Sequence, residues 1–407
     1  MAAQEVVAER AGYKKTKLGW IPKEWNVDRI GKYIDIRSGE SPSKFEEFDG
    51  GISYIKVDDL NNSLKYQLEG KFQVKKSKNI IPKGSIIFPK RGAAILNNKV
   101  RITRSDLFMD SNLMSITINL DLLDIEYLFY YILKRKLYKI ADTSTIPQIN
   151  NKHIIPLKIF IPPIQEQKAI ANCLATWDTA IEKQTQLIQA KQTQKKALMQ
   201  QLLTGKKRLP GFTEEWKEKS LTYFLDYTPR PITKPDIPFT KLGIRSHCKG
   251  TFQNKNFKPE DIAIDKLFRV KKNDLIVNIT FAWEGAIAIV KQEDDEGLVS
   301  HRFPTYTFKK DIGNSLFFEQ FIKTKRFRFL LELISPGGAG RNRVMSKKDF
   351  LKLKITIPKY KEQTAIANIL NTADKEIELL QKQLTQLQEQ KKGVMQQLLT
   401  GKKRLKF

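Results

Sequence analysis

The sequence predicts a mixed α/β (α+β) fold in which two globular blocks are separated by two long helices that pair as an antiparallel coiled coil, with a pseudo-two-fold internal repeat. Three observations carry this expectation. Residues Glu166–Leu209 match Glu362–Leu405 at a constant offset of 196 without a gap, identical at 26 of 44 positions. A long repeat at one offset means a duplicated unit. Both copies carry apolar residues in alternating steps of four and three, the 3.5-residue period of a coiled-coil seam. Each copy follows a divergent stretch of about 150 residues, an ordinary domain size. The boundaries expected are residues 1–164 and 209–360 for the blocks and residues 165–208 and 361–407 for the helices.

The blocks repeat more faintly than the helices. The first opens on Leu18-Gly-Trp-Ile-Pro-Lys-Glu-Trp25 and the second on Leu209-Pro-Gly-Phe-Thr-Glu-Glu-Trp216. Short β-like strings follow, rich in branched and aromatic residues and bounded by turn residues. They are Gly51–Val57, Ser85–Phe88 and Leu113–Ile118 in the first block, and Asp274–Thr280, Ala286–Val290 and Thr305–Phe308 in the second. Asp124–Ile140 and Ser315–Leu333 read as helices. Their aromatic residues, Tyr127, Tyr130 and Tyr131 in one and Phe317 and Phe321 in the other, fall at helical spacing and are assigned to the core. Each block closes on an alternating string that runs into proline, Leu157-Lys-Ile-Phe-Ile-Pro162 and Leu353-Lys-Ile-Thr-Ile-Pro358, and so on a strand leading out to the long helix.

The first seam consists of Ile170, Leu174, Trp177, Ile181, Ile188, Leu198 and Leu202, with Gln184, Lys191 and Lys195 at its polar positions. The second consists of Ile366, Leu370, Ile377, Leu380, Leu384, Leu387, Val394 and Leu398, with Ala373 and Lys391. A helix of about 40 residues is about 60 Å long. Both helices end on Thr-Gly-Lys-Lys-Arg, at Thr204–Arg208 and Thr400–Arg404. Glycine suits the residue past a helix end, and cations suit the negative pole of the helix dipole. The basic run reads equally as a cap or as a contact to phosphate or a partner.

The chain has 72 Lys and Arg against 44 Asp and Glu, a formal charge of +28. That surplus attracts polyanions, and nucleic acid is the commonest. No run of 18 apolar residues exists to span a membrane, and the first residues lack the apolar core of a signal peptide. Cys173 and Cys248 lie apart without metal-type spacing, as expected of a reducing, cytoplasmic protein. No GxxxxGK[ST] loop is present. The Pro162-Pro163 pair lacks the preceding Asn or Asp with which an amino-methyltransferase holds its target. His153, His247 and His301 form no zinc pattern. Asp261 with Asp265-Lys266 is the nearest approach to a nuclease cluster, and such short strings arise by chance. The chain reads as a binding protein with no metal or cofactor of its own.

The binding candidates are basic and loop-like. Lys90 and Arg91 follow a strand. Thr145, Gln148 and Asn150 lie in a loop of hydroxyls and amides, Thr143-Ser-Thr-Ile-Pro-Gln-Ile-Asn150. Arg341, Asn342 and Arg343 end a glycine-rich loop at the matching place in the second block. Arginine pairs in two-pronged fashion with phosphate or guanine, and Asn and Gln pair with adenine edges. The divergence of the blocks argues for two different readers. The alternative is a sequence-nonspecific architectural nucleic-acid-binding protein.

At this point the chain resembles the DNA-specificity subunits of type I restriction–modification systems. The residues that carry the likeness are the twin segments Met199–Leu209 and Met395–Leu405, Ile161-Pro-Pro-Ile-Gln-Glu-Gln167 with its copy Ile357-Pro-Lys-Tyr-Lys-Glu-Gln363, and the opening Ile21-Pro-Lys-Glu-Trp25. The loops Ser144–Asn150 and Gly340–Arg343 and the string Trp283-Glu-Gly-Ala286 belong to the same set. The second block departs at Gly211-Phe-Thr-Glu-Glu-Trp216 and at Pro358-Lys359. The resemblance implies two target-recognition domains, each reading half of a split double-stranded DNA target, with the helices fixing the unread gap. It implies two modification (methyltransferase) subunits as partners, which flip out an adenine and use S-adenosylmethionine, and restriction (translocase and nuclease) subunits, which use ATP and Mg. It also implies that the long helices dock the modification subunits, and Gln194, Gln200 and Gln201 are expected to face them.

Overall fold

The computed structural model describes residues 11–75, 78–119, 121–142, 146–337 and 343–405. The chain divides into two compact units, Met1–Gln184 with Gln383–Phe407, and Thr185–Lys382. The long helices are Ile164–Leu202 and Tyr360–Leu398, 39 residues each.

In the first unit a five-stranded sheet runs in the order Ile34–Ser38, Leu113–Ile118, Ile86–Pro89, Arg101–Thr103, Tyr66–Gln67. Its first four strands pair antiparallel and the last is parallel. A three-stranded sheet of Phe108–Met109, Glu47–Ile55 and Phe72–Val74 is interleaved with it along the chain. The second unit repeats the core: Leu225–Tyr227, Thr305–Phe308, Leu275–Val277 and Ile287–Ile289 form an antiparallel sheet in the same order. Its second sheet has five strands, with the hairpin Phe239–Ile244 and Thr251–Phe257 at one edge. The duplication therefore reaches into the blocks, below the level at which their sequences still match.

The alternating strings ahead of proline form strands Lys158–Ile161 and Lys354–Ile357. Each pairs antiparallel with the strand that follows the opening tryptophan, Asn26–Arg29 in one unit and Lys217–Ser220 in the other. Both expected helices are shorter than their sequence patterns. The first runs Ile125–Arg135 and stops at Lys136, whose positive φ of 62° interrupts the helix before the 3-10 turn Leu137–Lys139. The second splits into Ser315–Phe321 and Lys325–Leu333, because the Thr324 hydroxyl accepts from the Phe327 amide and caps a new helix. Aromatic spacing continues across the break, so periodicity alone does not reveal it. Tyr127, Tyr130, Tyr131, Phe317 and Phe321 are all buried.

Within each unit a piece of one long helix pairs with a piece of the other, and the residue numbers run in opposite senses. In the first unit Glu166, Asp178 and Gln184 bond to Arg404, Lys391 and Gln383. In the second, Arg208, Lys195 and Lys191 bond to Glu362, Asp374 and Glu376. Pairing in each unit is therefore antiparallel. None of the fifteen apolar seam residues is exposed. Ile170, Leu174 and Leu398 join the core of the first unit, and Leu202, Ile366 and Leu370 that of the second. Lys195 and Lys391, the cations at matching places in the two seams, each meet an aspartate of the opposing helix. Those aspartates are also held by their own unit, Asp178 by the Tyr130 hydroxyl at 2.5 Å and Asp374 by the Gln320 amide at 2.9 Å.

A buried carboxylate anchors each helix start. Glu166 is fully buried and accepts from the Trp25 indole at 3.0 Å and from Arg404 Nε and Nη2 at 3.0 and 2.9 Å. Glu362 repeats this with Trp216 at 3.1 Å and Arg208 at 2.7 and 2.8 Å. The adjacent glutamines, Gln167 and Gln363, donate to the carbonyl of Pro162 or Pro358, two residues before the helix, and accept from the amide of Asp124 or Asn314, which caps a helix earlier in the chain. The arginine of each terminal basic run is thus committed within its unit, and its charged state is favoured by the glutamate it meets. Lys206, Lys207, Lys402 and Lys403 remain exposed. The helix ends turn on Gly205 and Gly401, with φ near +70°. At Gly401 a Cβ would lie 2.4 Å from Pro22 Cδ, so only glycine fits.

Candidate nucleic-acid interface

The central strand of the first unit delivers the candidate residues to one place. Ile86–Pro89 has no exposed residue, and the chain leaves it into Lys90-Arg91-Gly92. The Lys90 amide donates to the Asn112 carbonyl and its own carbonyl accepts from the Ile149 amide, each at 2.8 Å. The Gly92 amide donates to the Pro147 carbonyl at 2.8 Å, and Arg91 forms a β-bridge with Gln148. Gly92 has φ +79°, which favours glycine where the loop turns away. Gln148 is bridged on its other side to Asp142. Two loops distant in sequence are thereby joined by backbone hydrogen bonds at the end of the sheet.

The side chains at this junction are not equivalent. Arg91 is exposed. Lys90 is half-buried, and burial first, then the charge of Arg91, lowers its ammonium pKa, with Asp110 opposing. Gln148 donates to Asn150 Oδ1 at 3.3 Å. Asn150 caps the short helix Asn151–Ile154, and its amide donates to His153 Nδ1 at 3.1 Å. Asn150 therefore shapes the loop, and the groups presented outward are Arg91 and the remaining valences of Gln148. Thr145 lies outside the described residues.

The second unit builds the same junction from different residues. The Ile279 amide donates to the Arg302 carbonyl at 3.0 Å, and the Met345 amide donates to the Ile279 carbonyl at 2.9 Å. Asn278–Thr280 thus takes the place of Pro89–Arg91, and Arg302 that of Asn112. Arg302 Nη1 donates to Thr280 Oγ1 at 2.9 Å, which ties the two strand ends together. Arg343 is used internally: its Nε donates to the Ser335 carbonyl at 3.1 Å, Glu332 lies 3.7 Å away, and its guanidinium lies over the Trp283 ring. Arg341 and Asn342 lie outside the described residues. Thr280 and Arg302 escaped the sequence reading because neither sits in a loop-like or repeated string, and only strand order places them opposite Arg91 and Asn112.

Asp261 and Asp265-Lys266 lie in a surface turn and at a strand start, with Asp265 almost fully exposed beside Lys234. Among the described residues no His, Cys, Asp and Glu group of three or more is arranged to hold a metal ion, and no helix is long and apolar enough to cross a membrane. The exposed residues of the long helices include Gln194, Gln200 and Gln201.

Comparison with known proteins gives one consistent result. The pattern of the type I restriction modification DNA specificity domain matches twice, over residues 22–192 and 213–389. The chain is 26% identical over 423 residues to the type I restriction enzyme MjaVIII specificity subunit of Methanocaldococcus jannaschii, covering 95% of this chain and 94% of that protein. It is 26% identical over 439 residues to the putative MjaX specificity subunit of the same organism, covering 97% of each. Among solved structures, the type I restriction–modification S subunit from M. genitalium superimposes with a TM-score of 0.55 at 16% identity, covering 92% of this chain and 96% of that one. A chain from a structure concerned with complex assembly and conformational transition of the type I R-M system gives 0.60 at 14%, covering 94% and 99%. These structural likenesses speak to the fold.

Proposed function

Because the chain belongs to the family of type I restriction–modification DNA specificity proteins, we propose that it reads a bipartite double-stranded DNA target, one half-site per unit, and scaffolds the subunits that act on that DNA. The observation that carries the proposal is the pair of loop junctions. The same backbone construction ends the central strand in each unit, yet it presents Arg91 and Gln148 in one and, in the other, Arg302 held by the buried Thr280 hydroxyl. A shared frame with different side chains suits two half-sites of different sequence. A purely architectural binder has no use for the difference.

The net charge of +28 supplies sequence-independent capture of the duplex. Loop side chains then read base edges in the major groove. The chemistry belongs to the partners: two modification subunits docked on the long helices use S-adenosylmethionine to methylate a flipped adenine, and restriction subunits use ATP and Mg. The exposed faces carrying Gln194, Gln200 and Gln201 are available for that docking. A protein that works on chromosomal DNA in this way acts in the cytoplasm.

The long helices set the gap between half-sites in this reading. Inserting one heptad at matching places in both helices keeps the seam in phase and adds about 10 Å of helix. The unread gap is expected to lengthen by about three base pairs, at about 3.4 Å each. Methylation mapping of the variant measures it. A gap of unchanged length sinks the role of the helices as the spacer.

A further inference from the structure

We propose that His247 is a specificity-determining residue of the second unit, contacting a base edge in the half-site which that unit reads. The inference rests on the DNA-recognition function proposed above. His247 sits at the tip of the hairpin formed by Phe239–Ile244 and Thr251–Phe257. Both His247 and Cys248 hold positive φ, +62° and +55°. Consecutive side-chain-bearing residues in this region are uncommon and persist only where surrounding contacts over-determine them.

The contacts here do so. The His247 amide donates to the Glu284 carbonyl and the Cys248 amide to the Gly285 carbonyl, each at 2.8 Å. Ser246 Oγ donates to Glu284 Oε2 at 2.7 Å, and Cys248 Sγ points inward to the Ile322 carbonyl at 3.3 Å. The hairpin closes through the Arg245 amide to the Gly250 carbonyl at 2.9 Å. Gly285 itself has φ +77°, and a Cβ there would meet Cys248 Sγ at 3.3 Å. The tip is thus clamped onto the turn Phe281–Gly285, which continues directly from Asn278–Thr280 at the loop junction.

With Cys248 turned inward, the side chains left exposed are Arg245, His247 and Lys249. Arg245 lies over the Phe252 ring, its centroid 5.4 Å away. One imidazole is therefore presented between two cations on a rigid backbone. Cations hold phosphates and position the element, and an imidazole with a donor and an acceptor nitrogen reads base edges. Rigid presentation spares the ordering cost of binding. The first unit differs here. Its strand in the matching parallel pair, Glu47–Ile55 beside Phe108–Met109, runs into the turn Val57–Asn62 carrying Asp58 and Asp59. Among the described residues the first unit shows no matching basic tip, as a reader of one half-site requires.

The test is methylation mapping in cells that express the full chain with its modification subunit, comparing wild type with His247→Ala and His247→Asn. Asparagine tolerates positive φ and keeps the turn. The expected result is a loss of discrimination of about tenfold or more at one position of one half-site, with the other half-site and the gap unchanged. An unaltered motif in both variants overturns the inference. So does failure of both variants to assemble with the modification subunit, which assigns His247 to the fold of the turn alone. If His247→Ala alone fails to assemble, His247→Asn decides by the same criterion. A wild-type chain that yields no split motif at all defeats the DNA-recognition reading itself, and is thereby distinguished from failure of this inference.

Discussion

Replacing Glu166 with alanine lowers the stability of the first unit by about 3 kcal/mol. Removing one partner from a buried ion pair costs about 3–5 kcal/mol, because the other charge is left without compensation. Glu166 is 0% exposed, while the Arg404 side chain keeps a third of its surface in water, which places the expected loss at the lower end of that range. The Trp25 indole, fully buried, loses its acceptor as well. Glu166→Gln keeps an acceptor for the indole and loses only the charge, so it falls between wild type and alanine. Combining Glu166→Ala with Arg404→Ala is less damaging than the sum of the two single changes, since each removes the same interaction. Glu362→Ala repeats the effect in the second unit and is milder, because Trp216 is only half-buried. Urea unfolding followed by tryptophan fluorescence measures both. An unchanged midpoint for Glu166→Ala contradicts the anchoring role.

Replacing Arg91 and Gln148 together with alanine abolishes recognition of one half-site while leaving the other intact. A good side-chain pairing with a base contributes about 1–3 kcal/mol of discrimination, and two together about a hundredfold or more in preference. The fold is expected to survive, because the junction is held by backbone hydrogen bonds from Lys90, Gly92 and Ile149 that neither substitution removes. The single variants separate the roles. If Arg91 contacts a phosphate, Arg91→Ala weakens binding to all sequences and lowers the salt slope by about one. If it contacts guanine, the preference relaxes at one position. Competition binding against duplexes varied in each half-site gives the answer. Equal loss at both half-sites, or none, contradicts the assignment of this junction to one half.

The duplication of the long helices is legible in the sequence because their constraint is local and periodic. Most seam residues that meet the opposing helix are apolar, and the pattern survives at a fixed offset. The exit strands are legible for the same reason. The loop junctions are legible only in part. Arg91 and Gln148 stand in strings that look like binding loops, but their pairing is a contact between distant strand ends. Thr280 and Arg302 carry no such string. Asn150 has the right chemistry for a base contact, yet it caps a helix. Arg343 has the right charge, yet it is held by Ser335, Glu332 and Trp283. Residue type reports what a side chain is able to do, whereas its partners decide what it is left free to do. Glu166 and Glu362 show the converse. The Glu-Gln pair is repeated in both copies, but a carboxylate in the first turn of a helix is ordinarily a solvated dipole partner. Its burial follows from the tryptophan and arginine that close over it, and those lie far away in the chain.

A chain that reads two half-sites through two different units directs methylation at a site in two parts. Genome-wide adenine methylation mapping, in cells that express this chain with its modification subunit, tests it most directly. The expected result is a new split motif, two short and different half-sites around a gap of fixed length. A stable complex that produces no new motif, or one uninterrupted motif, would contradict it.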